Sequence, residues 1–333
     1  MLAVRGDSIF AGMPPHSAQR VLVALGGNAI AGERGSGPVE QQRAVEGAAE
    51  QLAELVAQGH ELVITHGNGP QVGNLLLKND LARDVVPPVP LDWCVAQTQA
   101  TLGFLIVTAL EERLATRGID RAVATVVTRV LVDAADPGWS RATKPIGRYV
   151  SESEARERIA AGEAWEERGP RGWRRVVPSP RPLEILDRRI VEQLMRGGTI
   201  VVGAGGGGIP MVRENGRLRG VEAVLDKDLT GALLARTVGA DCFVVATDVD
   251  AAAIRFGTPE QEWLERVTPE GLRALLNEGH FASGSMQPKV EAALEFVERG
   301  GARAVITSLE RVREGLEGAA GTRVEHGVVT ADA

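Results

Sequence analysis

Apolar residues fall into two patterns along the chain. The run 20–25 is almost entirely apolar and predicts a buried strand, whereas residues 38–58 carry apolar side chains at helical spacing. The other predicted strands are 60–65, 121–128, 199–203, 241–247 and 303–307, and the other predicted helices are 92–117, 183–195, 226–238 and 286–299. Because strands alternate with helices, we predict an α/β fold with an open, mainly parallel sheet sandwiched by helices.

This alternation is interrupted between residues 133 and 180. The stretch contains three of the five Trp residues and the only Tyr, together with many charged residues and prolines. We therefore expect a small protruding subdomain inserted into the main fold. Asn215-Gly216, between two short runs, predicts a β-hairpin. Residues 1–19 lack both patterns and are predicted to be a disordered N-terminal tail.

Composition narrows the class of protein. The net charge of −7 over 333 residues argues against nucleic-acid binding, which would require a basic surface. The two cysteines, Cys94 and Cys242, lie in apolar runs and have no metal-ligand spacing, so we expect reduced core cysteines and a cytoplasmic protein. No apolar stretch reaches the roughly 18 residues of a membrane span, and we expect no membrane association.

Lysine is unusually rare in this chain. Of 37 basic residues only four are lysines, and the remaining 33 are arginines. Lys78 follows an apolar run and is interpreted as a solvated helix position. Lys144, Lys227 and Lys289 lie in Gly-, Pro- or Asp-rich segments. Since an ammonium is a compact point charge and a guanidinium is a planar fork, we infer that these three positions require lysine specifically.

Three glycine-rich loops, at 26–28, 66–71 and 204–210, each follow a predicted strand. The chain has neither a P-loop nor a Rossmann glycine motif. Ligands of open parallel sheets bind at the carboxyl ends of the strands, where backbone N–H groups can hold anions. A single loop of this kind is often only a tight turn, but three together indicate an anion site, with Asn28 and Asn68 as additional donors.

Two of the lysines lie where predicted helices begin. Asp226-Lys227-Asp228 opens the helix 226–238, and either aspartate alone could serve simply as an N-cap. Lys289 follows the loop 284–288 and lies in the first turn of the next helix. A cation is unfavourable at a helix N-terminus unless an anion compensates it. Lys289 therefore indicates a bound phosphate.

Taken together, the motifs resemble those of carbamate kinase, a member of the amino acid kinase family. They occur in family order between about residues 20 and 325. The six segments are 23–28 (Val-Ala-Leu-Gly-Gly-Asn), 65–73 (Thr-His-Gly-Asn-Gly-Pro-Gln-Val-Gly), 143–147 (Thr-Lys-Pro-Ile-Gly), 206–210 (Gly-Gly-Gly-Ile-Pro), 247–250 (Thr-Asp-Val-Asp) and 284–289 (Gly-Ser-Met-Gln-Pro-Lys).

The resemblance implies a division of labour along the chain. An N-terminal lobe, residues 20–220, would bind carbamate and include the protruding subdomain at about 133–180. A C-terminal lobe, residues 221–330, would bind the nucleotide. The implied enzyme is a phosphotransferase that interconverts ATP plus carbamate and ADP plus carbamoyl phosphate, and we expect it to form ATP. The implied partners are these small molecules, ATP or ADP with Mg²⁺, and a second copy of the chain in a homodimer.

The resemblance also implies roles for particular residues. As catalytic residues, Lys227 and Lys289 would hold the transferring phosphoryl group from different sides, and Lys144 would reach in from the protruding subdomain. Asp228 would set the geometry of the lysines. Mg²⁺ would bind the nucleotide phosphates, with no protein ligand predicted. His66 is expected to pack or hydrogen-bond rather than act as a base, because carbamate is already an anion. Residues expected at the acceptor and phosphoryl site are Gly26, Gly27, Asn28, Gly67, Asn68, Gly69, Gly206 and Gly207, and those expected at the nucleotide are Thr247, Asp248, Val249, Met286 and Pro288.

Two other functions remain open at this point. One is another amino acid kinase activity on a small carboxylate, and the second is a nucleotide-sensing module without turnover. The chain also departs from the family pattern at 93–99 and at 251–253, where Ala253 stands in place of an aromatic residue. Ala253 either borders the nucleotide or faces the core.

Overall fold

The computed structural model describes residues 18–27, 30 and 37–327. Its centre is an eight-stranded sheet in which only one neighbouring pair, formed by the strands at 303–308 and 322–325, is antiparallel. In spatial order the strands are β15 (Arg266–Val267), β17 (Thr322–Glu325), β16 (Arg303–Ser308), β12 (Cys242–Thr247), β1 (Arg20–Leu25), β2 (Glu61–His66), β9 (Ile200–Val202) and β3 (Val123–Thr125). The predicted α/β class with a mainly parallel sheet is confirmed.

Helices cover both faces of this sheet, as predicted. They are α1 (Pro38–Ala57), α2 (Gly69–Ala82), α3 (Leu91–Thr116), α4 (Glu152–Ala160), α5 (Arg188–Arg196), α6 (Lys227–Thr237), α7 (Pro269–Asn277), α8 (Met286–Glu298) and α9 (Val312–Glu317). Alternate residues of β1 serve the two faces: Leu22 belongs to the core formed with α6 and α8, and Val23 to the core formed with α1 and α3. Because both faces of the strand are buried, every residue of β1 after Arg20 is apolar.

The segment 121–128 was predicted as one strand of this sheet, but its structure differs. Only Val123–Thr125 joins the sheet, as the edge strand β3. The next residues form β4 in a separate four-stranded sheet that the sequence did not predict. Its strands are β11 (Arg217–Gly220), β10 (Ile209–Glu214), β4 (Arg129–Val132) and β8 (Pro182–Ile185). The predicted hairpin is confirmed, since Asn215 and Gly216 connect β10 and β11 with positive φ at both residues.

The inserted segment, residues 133–180, has a small sheet of its own. This sheet contains β5 (Lys144–Val150), β7 (Trp173–Val177) and β6 (Trp165–Glu167), all antiparallel, with α4 packed nearby. The segment meets the main body where β5 crosses α2. A Cβ on Gly73 would lie 2.1 Å from Cα of Gly147, so the two backbones touch and Gly73 has no room for a side chain. Gly147 is required instead by its positive φ of 73°. A last pair of short strands, β13 (Ala253–Ile254) and β14 (Glu262–Trp263), forms a hairpin after β12.

Helix α3 corrects one expectation from the sequence. By length and composition alone it could cross a membrane, so the statement that no apolar stretch reaches that size was wrong. Half of its most apolar window is buried inside the protein, which is typical of a core helix. Its outer face carries two exposed aromatic side chains, Trp93 and Phe104, which are 60% and 62% accessible.

Candidate functional site

A cavity of about 530 Å³ lies at the carboxyl ends of β1, β2 and β12, where the N-termini of α6 and α8 also point. This is the edge at which open parallel sheets bind ligands. Of the seventeen predicted site residues, Asn28 lies outside the described residues and Gly207 does not line the cavity. The other fifteen do: Gly26, Gly27, Gly67, Asn68, Gly69, Lys144, Gly206, Lys227, Asp228, Thr247, Asp248, Val249, Met286, Pro288 and Lys289.

Asp228 joins two of the lysines at the inner end of the cavity. Lys227 Nζ donates to Oδ1 of Asp228 at 2.5 Å, and Lys289 Nζ donates to Oδ2 at 3.2 Å. All three side chains are largely buried, with exposed fractions of 10%, 4% and 16% for Lys227, Asp228 and Lys289. One carboxylate therefore holds two ammonium groups that come from different helices.

Burial and charge oppose each other in this cluster. Burial alone would raise the pKa of Asp228, but the ammonium groups of Lys227 and Lys289 outweigh it and hold the pKa well below its usual range. Burial also lowers the pKa of Lys227, against the pull of Asp228. Burial also lowers the pKa of Lys289, but the surrounding carboxylates, chiefly Asp228, together have the larger effect, and the pKa of Lys289 is raised overall. We take all three groups as charged, because each buried charge has an opposite partner.

The position of Lys289 at the start of a helix led us to infer an anion beside it. In this structure the anion is a side chain of the protein itself. Asp228 compensates the ammonium group across the cavity. Lys289 alone is thus not evidence for a bound phosphate. The stronger indication is the whole cluster, in which Lys227 and Lys289 share a single carboxylate and leave one positive charge in excess.

Lys144 reaches the cavity from the inserted segment. Its Nζ donates to Oδ2 of Asp226 at 2.6 Å. The other oxygen of Asp226 caps α6 by accepting from the backbone N–H groups of Asp228 and Leu229. The sequence predicts only an N-cap at Asp226 and carries no signal for its second partner, because Lys144 lies 82 residues away.

The glycine loops are required by close packing around the cavity. A Cβ on Gly67 would lie 3.0 Å from the backbone of Gly27, and one on Gly206 would lie 2.0 Å from Nδ2 of Asn68. A Cβ on Gly207 would lie 2.8 Å from Leu225, which lines the cavity although Gly207 does not. The amide of Asn68, predicted to face a ligand, donates one hydrogen bond to Oγ1 of Thr98 at 2.9 Å.

His66 lies beneath these loops and is 1% exposed. Its Nδ1 donates to the carbonyl oxygen of Gly67 at 2.9 Å, since a carbonyl can only accept. Burial lowers the pKa of His66 to about 4, so the ring is neutral near pH 7. A Cβ on Gly205 would lie 2.3 Å from Nε2, which shows how tightly the ring is enclosed. The arrangement agrees with the predicted packing role.

The outer end of the cavity is apolar and formed by the β13–β14 hairpin and the start of α8. Its apolar lining residues include Ala253, Phe256, Phe281 and Met286. Ala253 lines the cavity but is only 5% exposed, so both interpretations of this residue hold in part. Phe256, which sequence reasoning missed, is 65% exposed and contacts Trp263 edge-on, with 6.4 Å between ring centroids. It provides an aromatic side chain three residues beyond the position where one was expected.

Comparison with known proteins agrees with this geometry. The sequence model of the amino acid kinase family matches residues 19–308. Carbamate kinase of Thermococcus kodakarensis is 47% identical over 92% of this chain and 99% of its own length. Carbamate kinase-like protein YqeA of Escherichia coli is 43% identical over 91% of this chain and 98% of its own.

A solved structure shares the fold over nearly the same span. Carbamate kinase from Giardia lamblia bound to AMP-PNP has a TM-score of 0.86 and 40% identity, covering 93% of this chain and 99% of that one. Both the identity and the coverage are high enough to establish family membership. The chain therefore belongs to the carbamate kinases of the amino acid kinase family.

Proposed function

We propose that this protein catalyses the reversible transfer of a phosphoryl group between ATP and carbamate, giving ADP and carbamoyl phosphate. The observation that carries the proposal is the cluster of Lys227, Lys289 and Asp228, with Lys144 at the same cavity. Phosphoryl transfer depends chiefly on positioning and on neutralising charge, rather than on covalent chemistry by the protein. Fixed, buried ammonium groups supply both.

In the forward direction an anionic oxygen of carbamate attacks the γ-phosphorus, and the bond from that phosphorus to the β,γ-bridging oxygen breaks. ADP leaves with the bond's electron pair, and no proton has to move, since the nucleophile is already an anion. This agrees with the absence of an available base at His66, whose ring is buried and hydrogen-bonded. Lys227 and Lys289 would bind the equatorial oxygens, on which the negative charge accumulates in the transition state.

The two ends of the cavity suggest how the nucleotide lies. Its phosphates would meet the ammonium groups, and its base would lie against Phe256 and Met286 at the hairpin end. Among residues 18–27, 30 and 37–327 there is no group of three or more His, Cys, Asp or Glu side chains suited to a metal. We therefore propose that Mg²⁺ binds through the nucleotide phosphates, as it commonly does in kinases, where it neutralises phosphate charge.

We also propose a homodimer that uses the outer face of α3. Trp93 and Phe104 are exposed there, and Val127 nearby is 47% exposed. A second copy of the chain would cover this face around a twofold axis. Sedimentation should give twice the chain mass at micromolar concentration, and Phe104→Glu should reduce it to the chain mass. A wild-type monomer at that concentration would rule out this interface.

We assign this reaction to the cytoplasm and to the direction of ATP synthesis, because an acyl phosphate transfers its phosphoryl group readily to ADP. Two free, buried cysteines, Cys94 and Cys242, fit a reducing compartment. The alternatives are less well supported: a sensor without turnover does not require three lysines and an orienting aspartate at one cavity. Other family activities would need an acceptor pocket that fits a larger carboxylate.

The deciding experiment measures ATP formed from ADP and carbamoyl phosphate, with acetyl phosphate as a second donor. We expect ATP only with carbamoyl phosphate, at a rate that Lys227→Met abolishes. The matched control is Lys78→Met, since Lys78 is exposed on α2, away from the cavity. ADP binding by calorimetry without ATP formation from either donor would favour the sensing module instead.

A further inference from the structure

We propose that Asp226 is a positioning residue that sets the place of the Lys144 ammonium relative to Lys227 and so couples the inserted segment to the phosphoryl site. The inference rests on the proposed function for its kinetic consequence, but its structural basis is independent of it. It follows from two hydrogen-bonding tasks that one carboxylate performs at once.

The two oxygens of Asp226 face different parts of the chain. Oδ1 accepts from the N–H groups of Asp228 and Leu229, at 2.8 and 3.3 Å, and so begins α6. Oδ2 accepts from Lys144 Nζ at 2.6 Å. Because the carboxylate is planar and its first oxygen is held by the helix, its second oxygen has little freedom. The Lys144 ammonium is thereby placed in register with the first turn of α6, which carries Lys227 and Asp228.

The cap alone does not account for an aspartate here. Asn, Ser and Thr cap helices about as well, and none of them carries a charge. Asp226 is nevertheless 8% exposed, and a buried carboxylate is costly unless a cation pairs with it. Lys227 and Lys289 already form their ion pairs with Asp228. Lys144 is the cation hydrogen-bonded to Asp226, so the negative charge is explained by the link to the inserted segment.

The position of Lys144 in its own segment makes this link mechanically effective. Lys144 is the first residue of β5, opposite Val177 of β7. Three residues on, Gly147 touches Gly73 of α2. The inserted segment is thus held against the main body at a backbone contact, Gly73 with Gly147, and at an ion pair, Lys144 with Asp226. Without the ion pair the backbone contact would remain, but the ammonium group would no longer have a fixed place.

Incoming phosphates change the balance of charge at this point. Lys144, Lys227 and Lys289 form ion pairs with Asp226 and Asp228, and this cluster carries one net positive charge. Asp248 is a third carboxylate that lines the same cavity. Lys144 is the most exposed of the three lysines, at 29%, and is therefore the most available to a phosphoryl oxygen. Asp226 holds that ammonium within reach before the substrate arrives. The conformational entropy of the long Lys144 side chain is therefore lost on folding and not during turnover.

The test uses Asp226→Asn, which separates the two tasks. To keep the cap, the amide oxygen must face the helix N–H groups, and the amide NH₂ then faces the Lys144 ammonium, donor against donor. We expect kcat for ATP formation to fall at least tenfold, with KM for ADP within about twofold of wild type and the melting temperature nearly unchanged. Lys144→Gln should give a similar loss, and the double variant should lose little more, since both remove one interaction.

A second measurement does not depend on activity. Hydrogen exchange of the ligand-free protein should become faster in residues 144–150 in Asp226→Asn, while the start of α6 stays protected. The matched control is Arg156→Gln, which breaks an exposed ion pair of the same segment, with Glu152, and should change neither exchange there nor kcat.

Three results would overturn the inference. One is a kcat of Asp226→Asn above half of wild type, and another is additive losses in the double variant. The third is a fall in melting temperature together with faster exchange at the start of α6, which would make Asp226 a cap and nothing more. If wild-type protein forms no ATP, the proposed function fails, while the exchange experiment still decides whether Asp226 fixes the inserted segment.

Discussion

The two ends of the cavity differ in burial and in charge. At the inner end, Lys227, Asp228 and Lys289 are buried and charged, and both lysines donate a hydrogen bond to Asp228. At the outer end, Phe256 is 65% exposed and is held by one edge-on contact with Trp263. The inner end is fixed before any ligand arrives, and the outer end presents an apolar surface that can adjust to one.

This contrast predicts how each end contributes to turnover. Groups fixed in place for a charge that develops during reaction act on kcat, because their benefit appears only in the transition state. Groups that bind an unreacting part of the substrate act alike in the ground and transition states, so they change KM and leave kcat nearly constant. The following experiments test that division.

The largest effect is expected from Lys227→Arg. A planar fork cannot occupy the place of a point charge that lies 2.5 Å from Asp228 in a buried site without displacing its neighbours. We expect kcat to fall by about 10²-fold or more, the scale of losing one preorganised contact, with ADP affinity less affected. Lys78→Arg, at an exposed position, is the control and should retain full activity. If Lys227→Arg kept half of the wild-type kcat, the assignment of the inner end to kcat would be wrong.

The protonation of His66 shows whether an unpaired charge is unfavourable at the inner end of the cavity. Its pKa is lowered to about 4 in the folded protein, from 6.5, so the unfolded chain binds more protons between these values. Folding stability that is present above pH 6.5 is therefore lost as the pH falls toward 4. By linkage this residue should cost about 2 kcal/mol at pH 5 relative to pH 7.5.

Urea unfolding of wild type and His66→Asn at pH 7.5 and pH 5 measures that share. The variant should lose less stability on acidification than the wild type, whatever its stability at pH 7.5. Equal losses in the two proteins would mean that the buried ring is not kept neutral by its surroundings.

A smaller and different effect is expected at the outer end. Phe256→Ala should raise KM for ADP by up to about tenfold, because stacking of a base on an aromatic ring is worth roughly 1–3 kcal/mol, and 1.4 kcal/mol corresponds to a factor of ten. The value of kcat should stay within about twofold. Steady-state kinetics with ADP as the varied substrate gives both numbers. A fall in kcat at unchanged KM would reverse the roles assigned to the two ends.

The smallest effect on nucleotide binding is expected from Ala253→Tyr. Ala253 pairs with Trp263 in the hairpin and is 5% exposed, so a phenol ring would overpack its site. We expect a lower melting temperature, with a cost of roughly 1–3 kcal/mol, and unchanged ADP affinity. Tighter ADP binding at intact stability would instead place residue 253 against the base, and Phe256 outside it.

Much of this arrangement was predictable, because local sequence encodes it. Continuous apolar residues predict buried strands such as β1, and the glycine loops that follow the strands indicate the edge of the sheet where a ligand binds. Asp226 and Phe256 were not predictable. Asp226 gains its second partner through a contact 82 residues away. Phe256 enters the cavity from the loop 255–261, which connects two strands of only two residues each. The four-stranded sheet was missed because the residues on both sides of Thr125, at 122–124 and 126–127, are apolar and do not show where β3 ends and the chain passes to another sheet.

The scarcity of lysine has a practical consequence for chemical labelling. Apart from its amino terminus, the chain offers an amine-directed reagent four targets, of which Lys144, Lys227 and Lys289 line one cavity and Lys78 is exposed on α2. Lys78 is thus an internal reference for reagent dose. Acylation counted on the intact protein by mass spectrometry then reports ligand occupancy directly, without a radioactive or fluorescent nucleotide.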